Sequence, residues 1–192
     1  MRSWIGRSLA LVVLGSACAL LAGATAAPQE MIRDGGFENG DTAGIGRNWA
    51  SESYGSATIH FDLSTDKVQL GKYCQHIHVE DYKDGYAQIC QLGMKMSKGQ
   101  QYTIVLWMRG DLSVPVLVGF RQHGPPYTFY LKREVRVSPA WQRYTITEVA
   151  SEADENSGLF LVIAGNGDLW IDNVSARATT SSQPAAGHPA SP

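Results

Sequence analysis

The chain has 192 residues, of which 44% are hydrophobic and 18% are charged, and its formal net charge is −2 at pH 7. This weakly acidic balance lacks the concentration of Lys and Arg that binds nucleic acid or an anionic membrane surface, so we expect neither partner. The length suffices for one domain with its own hydrophobic core.

The N-terminal segment has the pattern of a secretory signal peptide. Arg2 and Arg7 precede an uncharged apolar run that ends in Ala-Thr-Ala, a small-x-small cleavage signal. We predict a signal peptide over residues 1–26 and a secreted or periplasmic product with no membrane attachment after cleavage. An uncleaved anchor or a lipoprotein acylated at Cys18 are the alternatives. Small residues in the run weigh against the first, and the apolar residues beyond Cys18 weigh against the second.

Short alternating segments separated by turn residues make up the chain from residue 27 to 176. The sequence YTIVLWMR, residues 102–109, alternates between two faces, and Asn-Gly at residues 166–167 is a strong hairpin signal between two further segments. No segment keeps an apolar stripe of period 3.6, and no internal repeat is visible. The pattern predicts one all-β domain over residues 27–176, a jelly-roll β-sandwich of two antiparallel sheets.

The last residues, 177–192, are rich in Ala, Ser and Pro and offer little to bury. We predict that this tail is disordered.

Cys74 and Cys90 remain after removal of the signal peptide. In an oxidising compartment an even pair predicts a disulfide, which would stabilise the fold by about 3 kcal/mol. The alternative is a pair of buried free thiols.

Five motifs stand in a fixed order between residues 31 and 175. They are MIRDGGFENG, LGKYC, KGQQYTIVLWMRGD, AWQRYTIT and GDLWIDNVS. Together they resemble the CenC-type carbohydrate-binding modules, families four and nine with the related family twenty-two. The resemblance implies a galactose-binding-like jelly roll that binds polysaccharide without cleaving it and that is usually attached to a glycoside hydrolase.

The resemblance also implies a structural calcium ion that joins the first and last strands. Carried over, its ligands are Glu38 and Asp172, with Asp34 close enough to contribute. Ca²⁺ takes six to eight oxygen ligands from carboxylates and backbone carbonyls, and the Gly pair after Asp34 lets the chain turn its carbonyls inward. The alternative is that Glu38 and Asp172 cap turns or face water.

The predicted sugar site is a sheet face that carries aromatic rings beside planar hydrogen-bonding groups. Alternation places Trp107 and Arg109 on the outer face of one strand and Arg121 and His123 on the outer face of the next. A Pro-containing loop follows the second strand. The predicted carbohydrate-binding residues are Trp107, Arg109, Arg121, Gln122, His123, Tyr127 and Tyr130. The alternative is that Trp107 and Tyr127 only fill packing space.

A second cluster is the pair His76 and His78, which share a strand face with Glu80. Such a pair can bind Zn²⁺ or Cu²⁺, but the sequence identifies no third ligand. On a curved sheet the two imidazoles would instead line the sugar groove.

The sequence carries no sign of a catalytic centre. It has no G-x-S-x-G elbow, no phosphate-binding loop, no H-E-x-x-H helix and no obvious carboxylate pair for glycoside hydrolysis. We therefore predict a monomeric, non-catalytic module that binds xylan, β-glucan or a similar polysaccharide, alone or beside a separately encoded glycoside hydrolase. The alternatives are an envelope module for protein–protein contact on the same fold and a small glycan-cleaving enzyme.

Overall fold

Ten β-strands and no helix make up the part of the chain that the computed structural model describes, residues 28–40 and 43–179. The strands are β1 (Ala50–Ser51), β2 (Thr58–Ser64), β3 (Cys74–Glu80), β4 (Ala87–Met96), β5 (Gln101–Gly110), β6 (Val116–Gln122), β7 (Phe129–Val135), β8 (Gln142–Val149), β9 (Asp154–Ile163) and β10 (Gly167–Ala178).

The strands form two five-stranded antiparallel sheets, as the sequence predicts for a jelly-roll sandwich. The front sheet has the order β1-β4-β9-β6-β7, and the back sheet has the order β2-β3-β10-β5-β8. Most neighbours in each sheet are distant in sequence. The fold therefore depends on side-chain packing between segments that meet only after the chain has crossed from one sheet to the other.

Strand alternation builds the core between the two sheets. On β5 the buried residues include Ile104 and Leu106, and on the facing β6 they include Val118 and Phe120, all fully buried. Burying each of these side chains contributes roughly 1.5–3 kcal/mol relative to exposure. The opposite residues of the same strands stand on the outer faces of the sandwich, where a ligand can reach them.

The first motif packs against β10 and ties the two ends of the domain together. Val174 donates its backbone N–H to Gly35 O at 2.8 Å, and a Cβ on Gly35 would lie 1.9 Å from the Val174 carbonyl oxygen. Phe37 is fully buried and its ring lies 5.1 Å from that of Trp49. Gly35 therefore allows the close approach to β10, and Phe37 is anchored in the core two residues later, with Glu38 beside it.

The prediction of a disulfide is wrong: Cys74 and Cys90 are both free, buried thiols in this structure. Cys74 lies on β3 of the back sheet, and its Sγ donates weakly to backbone oxygens of Ser64 and Asp66. Cys90 lies on β4 of the front sheet and packs with Phe160. The two side chains point away from each other, from the outer sides of opposite sheets, which is incompatible with disulfide geometry.

The predicted signal peptide and most of the predicted tail lie outside the described residues. Strand β10 continues to Ala178, so two residues that the sequence analysis assigned to the tail belong to the sheet. Within the described part of the chain, no helix is long and apolar enough to cross a membrane.

Candidate functional site

A cleft of about 520 Å³ opens on the outer face of the front sheet. Its floor comes from the adjacent strands β4, β9, β6 and β7, and its sides come from the segments that flank them. The lining residues are Glu52, Tyr54, Tyr86, Gln88, Leu117, Arg121, Tyr127, Phe129 and Val162. The volume lies in the range of small-molecule and cofactor sites, and the lining combines apolar and aromatic side chains with a few polar ones, as such sites do.

Arg121 lies at the floor of the cleft and is only 7% exposed. Its guanidinium carbon is 3.7 Å from the ring centre of Phe160. The terminal nitrogens donate to Gln88 Oε1 at 3.2 Å and to Glu52 Oε2 at 3.4 Å. Burial lowers the pKa of Arg121 while the Glu52 carboxylate opposes that shift. Arginine stays charged in proteins, so the contact with the ring is a cation–π interaction.

The remaining guanidinium nitrogen, Nε of Arg121, is buried without a hydrogen-bond partner. The amide of Gln88 is fixed as well, because its Nε2 donates to the backbone oxygen of Glu52. The floor of the cleft is therefore a pre-positioned polar network rather than a set of mobile side chains.

Three tyrosines stand exposed around this floor. Tyr54 and Tyr86 pair through their backbones, and their rings meet edge to face with centres 5.5 Å apart. The ring centre of Tyr127 lies 5.4 Å from the Arg121 guanidinium carbon, in a turn closed by the Tyr127 N–H on Gly124 O. Flat rings beside fixed hydrogen-bonding groups suit a ligand with an apolar face and a rim of hydroxyls.

The structure brings Arg121 and Tyr127 together as predicted and places His123 beside them. His123 Nε2 lies 2.9 Å from Glu52 Oε1, at the edge of the cleft. Gln122 is half-buried at the end of β6, where its backbone N–H donates to Thr128 O, and it does not line the cleft.

Trp107, Arg109 and Tyr130 lie elsewhere, so the prediction that they share one surface with Arg121 and Tyr127 is wrong. Trp107 and Arg109 stand on the outer face of the back sheet, where the Arg109 guanidinium carbon is 5.7 Å from the Trp170 ring centre. Tyr130 points into the core, and its hydroxyl donates to Asp154 Oδ2 at 2.8 Å. Burial and the nearby Asp154 raise the pKa of Tyr130 to about 12. Alternation fixes a side relative to each strand's own sheet but does not say which sheet a strand joins.

Four polar or aromatic residues of the cleft were not predicted from the sequence: Glu52, Tyr54, Tyr86 and Gln88. The alternation of β4 carries one usable signal, because it places Gln88 on the face opposite Ile89. The other three lie outside the longer strands, in segments without periodicity, and only the fold brings them to the cleft.

Two of the predicted calcium ligands approach one loop, residues 69–73. Asp172 is fully buried, and its Oδ2 accepts from the N–H groups of Gln69 and Leu70 at 3.2 and 3.1 Å. Glu38 accepts from the Lys72 N–H at 2.9 Å. Burial, together with the negative charge of Glu38, raises the pKa of Asp172, and a cation bound between the two carboxylates would oppose that shift.

Gly71 forms the part of this loop closest to Glu38. A Cβ on Gly71 would lie 2.0 Å from Glu38 Oε1, and the backbone φ of +83° also favours glycine. The contacts between this loop and the two carboxylates are backbone N–H groups donating to Asp172 and Glu38, which is the turn-capping role that the sequence left open as the alternative to a calcium site.

Asp34 does not join this pair. Its Oδ1 accepts from Asn39 Nδ2 at 3.1 Å, and its backbone oxygen accepts from the indole of Trp49. In the described ranges no three His, Cys, Asp or Glu side chains already converge as a metal site.

The outer face of the back sheet carries three histidines, His60, His76 and His78, which we call the histidine row. His76 Nε2 and His78 Nδ1 both contact Asp168 Oδ1, at 2.7 and 2.9 Å. His60 lies directly across from His78 on β2. The row is on the opposite side of the sandwich from the cleft, so these imidazoles do not line it.

Comparisons with known proteins agree with this architecture. No family model matches the chain, and no curated protein matches it. Among solved structures, a family 4 carbohydrate-binding module matches at 23% identity and a TM-score of 0.59, over 77% of this chain and 99% of that one. The fold is that of carbohydrate-binding modules.

Two further matches extend the likeness to other families of these modules. The CBM22-1 xylan-binding domain of Xyn10C from Paenibacillus barcinonensis is 10% identical, with a TM-score of 0.55 over 83% of this chain and 100% of that one. The family 11 module of the cellulosomal cellulase Lic26A-Cel5E from Clostridium thermocellum is 12% identical, with a TM-score of 0.56 over 80% of this chain and 96% of that one. At these identities the likeness establishes the jelly-roll fold alone.

Proposed function

We propose that this chain is an exported, non-catalytic module that binds a polysaccharide in the cleft of the front sheet. The observation that carries the proposal is the arrangement of three exposed tyrosines around the buried Arg121, on the fold of carbohydrate-binding modules. Sugar rings would stack on the tyrosines, and hydroxyls would bond to the polar groups between them.

The charges in the cleft favour a neutral glycan. Arg121 lies beside Glu52, and His123 contacts the same carboxylate. With its positive charge matched, the floor has no surplus cation to pair with uronic acids or sulfates. Xylan, β-glucan and similar neutral polymers are therefore the ligands to test first.

Glycoside hydrolysis is a weaker proposal for this cleft. Hydrolysis needs two carboxyl groups roughly 5–10 Å apart across the scissile bond. Among the described residues that line the cleft, Glu52 is the one carboxylate, and it is engaged by Arg121 and His123. The module would therefore act by binding, as a monomer, alone or beside a separately encoded glycoside hydrolase.

A structural calcium ion completes the proposal. Glu38 and Asp172 would hold it through the carboxylate oxygens that accept here from the N–H groups of residues 69–73, and the ion would neutralise their negative charge. Its role is to hold the first motif, loop 69–73 and β10 together rather than to contact the sugar.

Isothermal titration calorimetry with xylo- and cello-oligosaccharides, together with affinity electrophoresis in xylan, β-glucan and hydroxyethyl cellulose, tests the binding site. Tyr127→Ala and Tyr86→Ala should each weaken binding by about tenfold, since one stacked ring is worth up to about 1.5 kcal/mol. Trp107→Ala, on the back sheet, is the aromatic control and should bind like the unmodified protein. Loss of binding in Trp107→Ala alone, or no retardation by any polysaccharide, would overturn the proposal. Release of reducing sugar would establish an enzyme instead.

A further inference from the structure

Two members of the histidine row, His60 on β2 and His78 on β3, both lie close to the carboxylate of Glu80 at the end of β3. His60 Nε2 lies 3.8 Å from Glu80 Oε1, and His78 Nε2 lies 3.8 Å from Glu80 Oε2. The His60 and His78 rings are stacked with centres 6.2 Å apart and an interplanar angle of 25°. The carboxylate therefore sits between the outer nitrogens of two cross-strand imidazoles.

We propose that His60, His78 and Glu80 form a binding site for a divalent transition metal such as Zn²⁺. Two imidazoles and one carboxylate are the side chains that such ions prefer among nitrogen and oxygen ligands. Water completes the coordination on the solvent side.

Two distances among the ligand atoms can be compared with those of a formed site. In a tetrahedral site with metal–ligand distances near 2.0–2.1 Å, neighbouring ligand atoms are about 3.3 Å apart. Each imidazole nitrogen here is 3.8 Å from a Glu80 oxygen, but the two contact different oxygens and the ring centres are 6.2 Å apart, so closure needs rotation of the His60 and Glu80 side chains. The three donors do not yet converge, but the side chains of His60 and Glu80 are 65% and 53% exposed and are able to rotate without disturbing the core.

His78 is already oriented as a metal ligand. Its Nδ1 contacts Asp168 Oδ1 at 2.9 Å, which leaves Nε2 directed at Glu80. A carboxylate on the second ring nitrogen fixes the tautomer and the orientation of most metal-bound histidines, and its removal usually costs about 10–100-fold in affinity. Asp168 therefore supplies the outer support that a bare pair of surface histidines lacks.

His76 is the difference between this site and the His76–His78 pair that the sequence suggests. Both ring nitrogens of His76 are engaged, Nδ1 by Asp62 at 2.8 Å and Nε2 by Asp168 at 2.7 Å. His76 is therefore a neighbour of the site and not a ligand. The third ligand that the sequence did not identify is His60, which only the pairing of β2 with β3 brings into place.

Calorimetric titration of the purified protein with ZnCl₂ tests the site, without a polyhistidine tag and with saturating CaCl₂ to block the proposed calcium site. One equivalent of Zn²⁺ should bind. His60→Ala and His78→Ala should each weaken binding by about tenfold or more, and Glu80→Gln should weaken it by a similar factor. His123→Ala and His188→Ala are the matched controls and should leave the affinity unchanged.

A second measurement separates ligation from a change in folding. In ¹⁵N NMR spectra of the histidine side chains, Zn²⁺ should shift the Nε2 signals of His60 and His78 and leave that of His123 in place. Far-UV circular dichroism should be the same for every variant, because His60 and Glu80 are exposed. Equal zinc affinity in His60→Ala, or equal loss in His123→Ala, would overturn the proposal, as would no heat of binding in the unmodified protein.

Discussion

Replacing Arg121 with Ala tests whether the floor of the cleft is a fixed network. The guanidinium stacks on Phe160 at 3.7 Å, a buried contact worth about 1–2 kcal/mol. Loss of the hydrogen bond to Gln88, which is only 2% exposed, leaves a buried acceptor unpaired and costs about 1 kcal/mol. Glu52 keeps contact with solvent, so its ion pair adds at most about 1 kcal/mol.

Together these contributions predict that Arg121→Ala lowers the free energy of unfolding by about 3 kcal/mol, or the Tm by roughly 6–12 °C. Urea unfolding followed by tryptophan fluorescence measures this, and Arg133→Ala, whose guanidinium pairs with Glu148 at the exposed surface, is the control and should cost less than about 1 kcal/mol. Arg121→Lys should recover only part of the loss, since one ammonium cannot stack on Phe160 and reach both partners. A cost below 1 kcal/mol for Arg121→Ala would refute a fixed network.

Three other changes should have measurable effects. Burial raises the pKa of Asp172 above its ordinary 3.8, so ionisation of Asp172 destabilises the cation-free fold as the pH rises above 3.8. The gain in Tm from CaCl₂ over EDTA should therefore be larger at pH 7 than at pH 4. An equal gain at both pH values would argue against Asp172 as a calcium ligand. Gly35→Ala places a Cβ 1.9 Å from the Val174 carbonyl oxygen and should lower the free energy of unfolding by about 2 kcal/mol or more, whereas Gly36→Ala, with no contact below 3.8 Å, should have little effect in the same urea titration. Burial raises the pKa of both Cys74 and Cys90 to about 12, so a thiol reagent at pH 8 should label them only after unfolding, and a mass two hydrogens lower, from a disulfide, would contradict the structure.

The β-sandwich was predictable because short stretches of the sequence mark its strands and turns. The alternation over residues 102–109 survives in β5, where every second residue is buried, and the Asn-Gly turn ends at the start of β10. The resemblance in five motifs added the long-range part, since it implied that the first motif and the last strand lie side by side. The contact between Gly35 and Val174 agrees with that expectation.

The cleft was only partly predictable, because it depends on which sheet each strand joins. Alternation correctly placed Arg121 on the strand face opposite Phe120. It also placed Trp107 on an outer face, but β5 and β6 belong to different sheets, so the two side chains lie on opposite sides of the sandwich. Tyr54 and Tyr86 meet through an isolated backbone bridge between residues 32 positions apart, for which no sequence period exists. The prediction of a disulfide was wrong for the same reason, because the distance between Cys74 and Cys90 along the sequence does not reveal that they stand on opposite sheets.

The bridge between Glu30 and Arg177 places the two ends of the described domain beside each other on the back sheet. A tether or a chemical coupling attached at either end therefore leaves from the side away from the tyrosines. The module is able to sit on a support, or to be inserted into a loop of a host protein, with its front sheet turned outward and accessible.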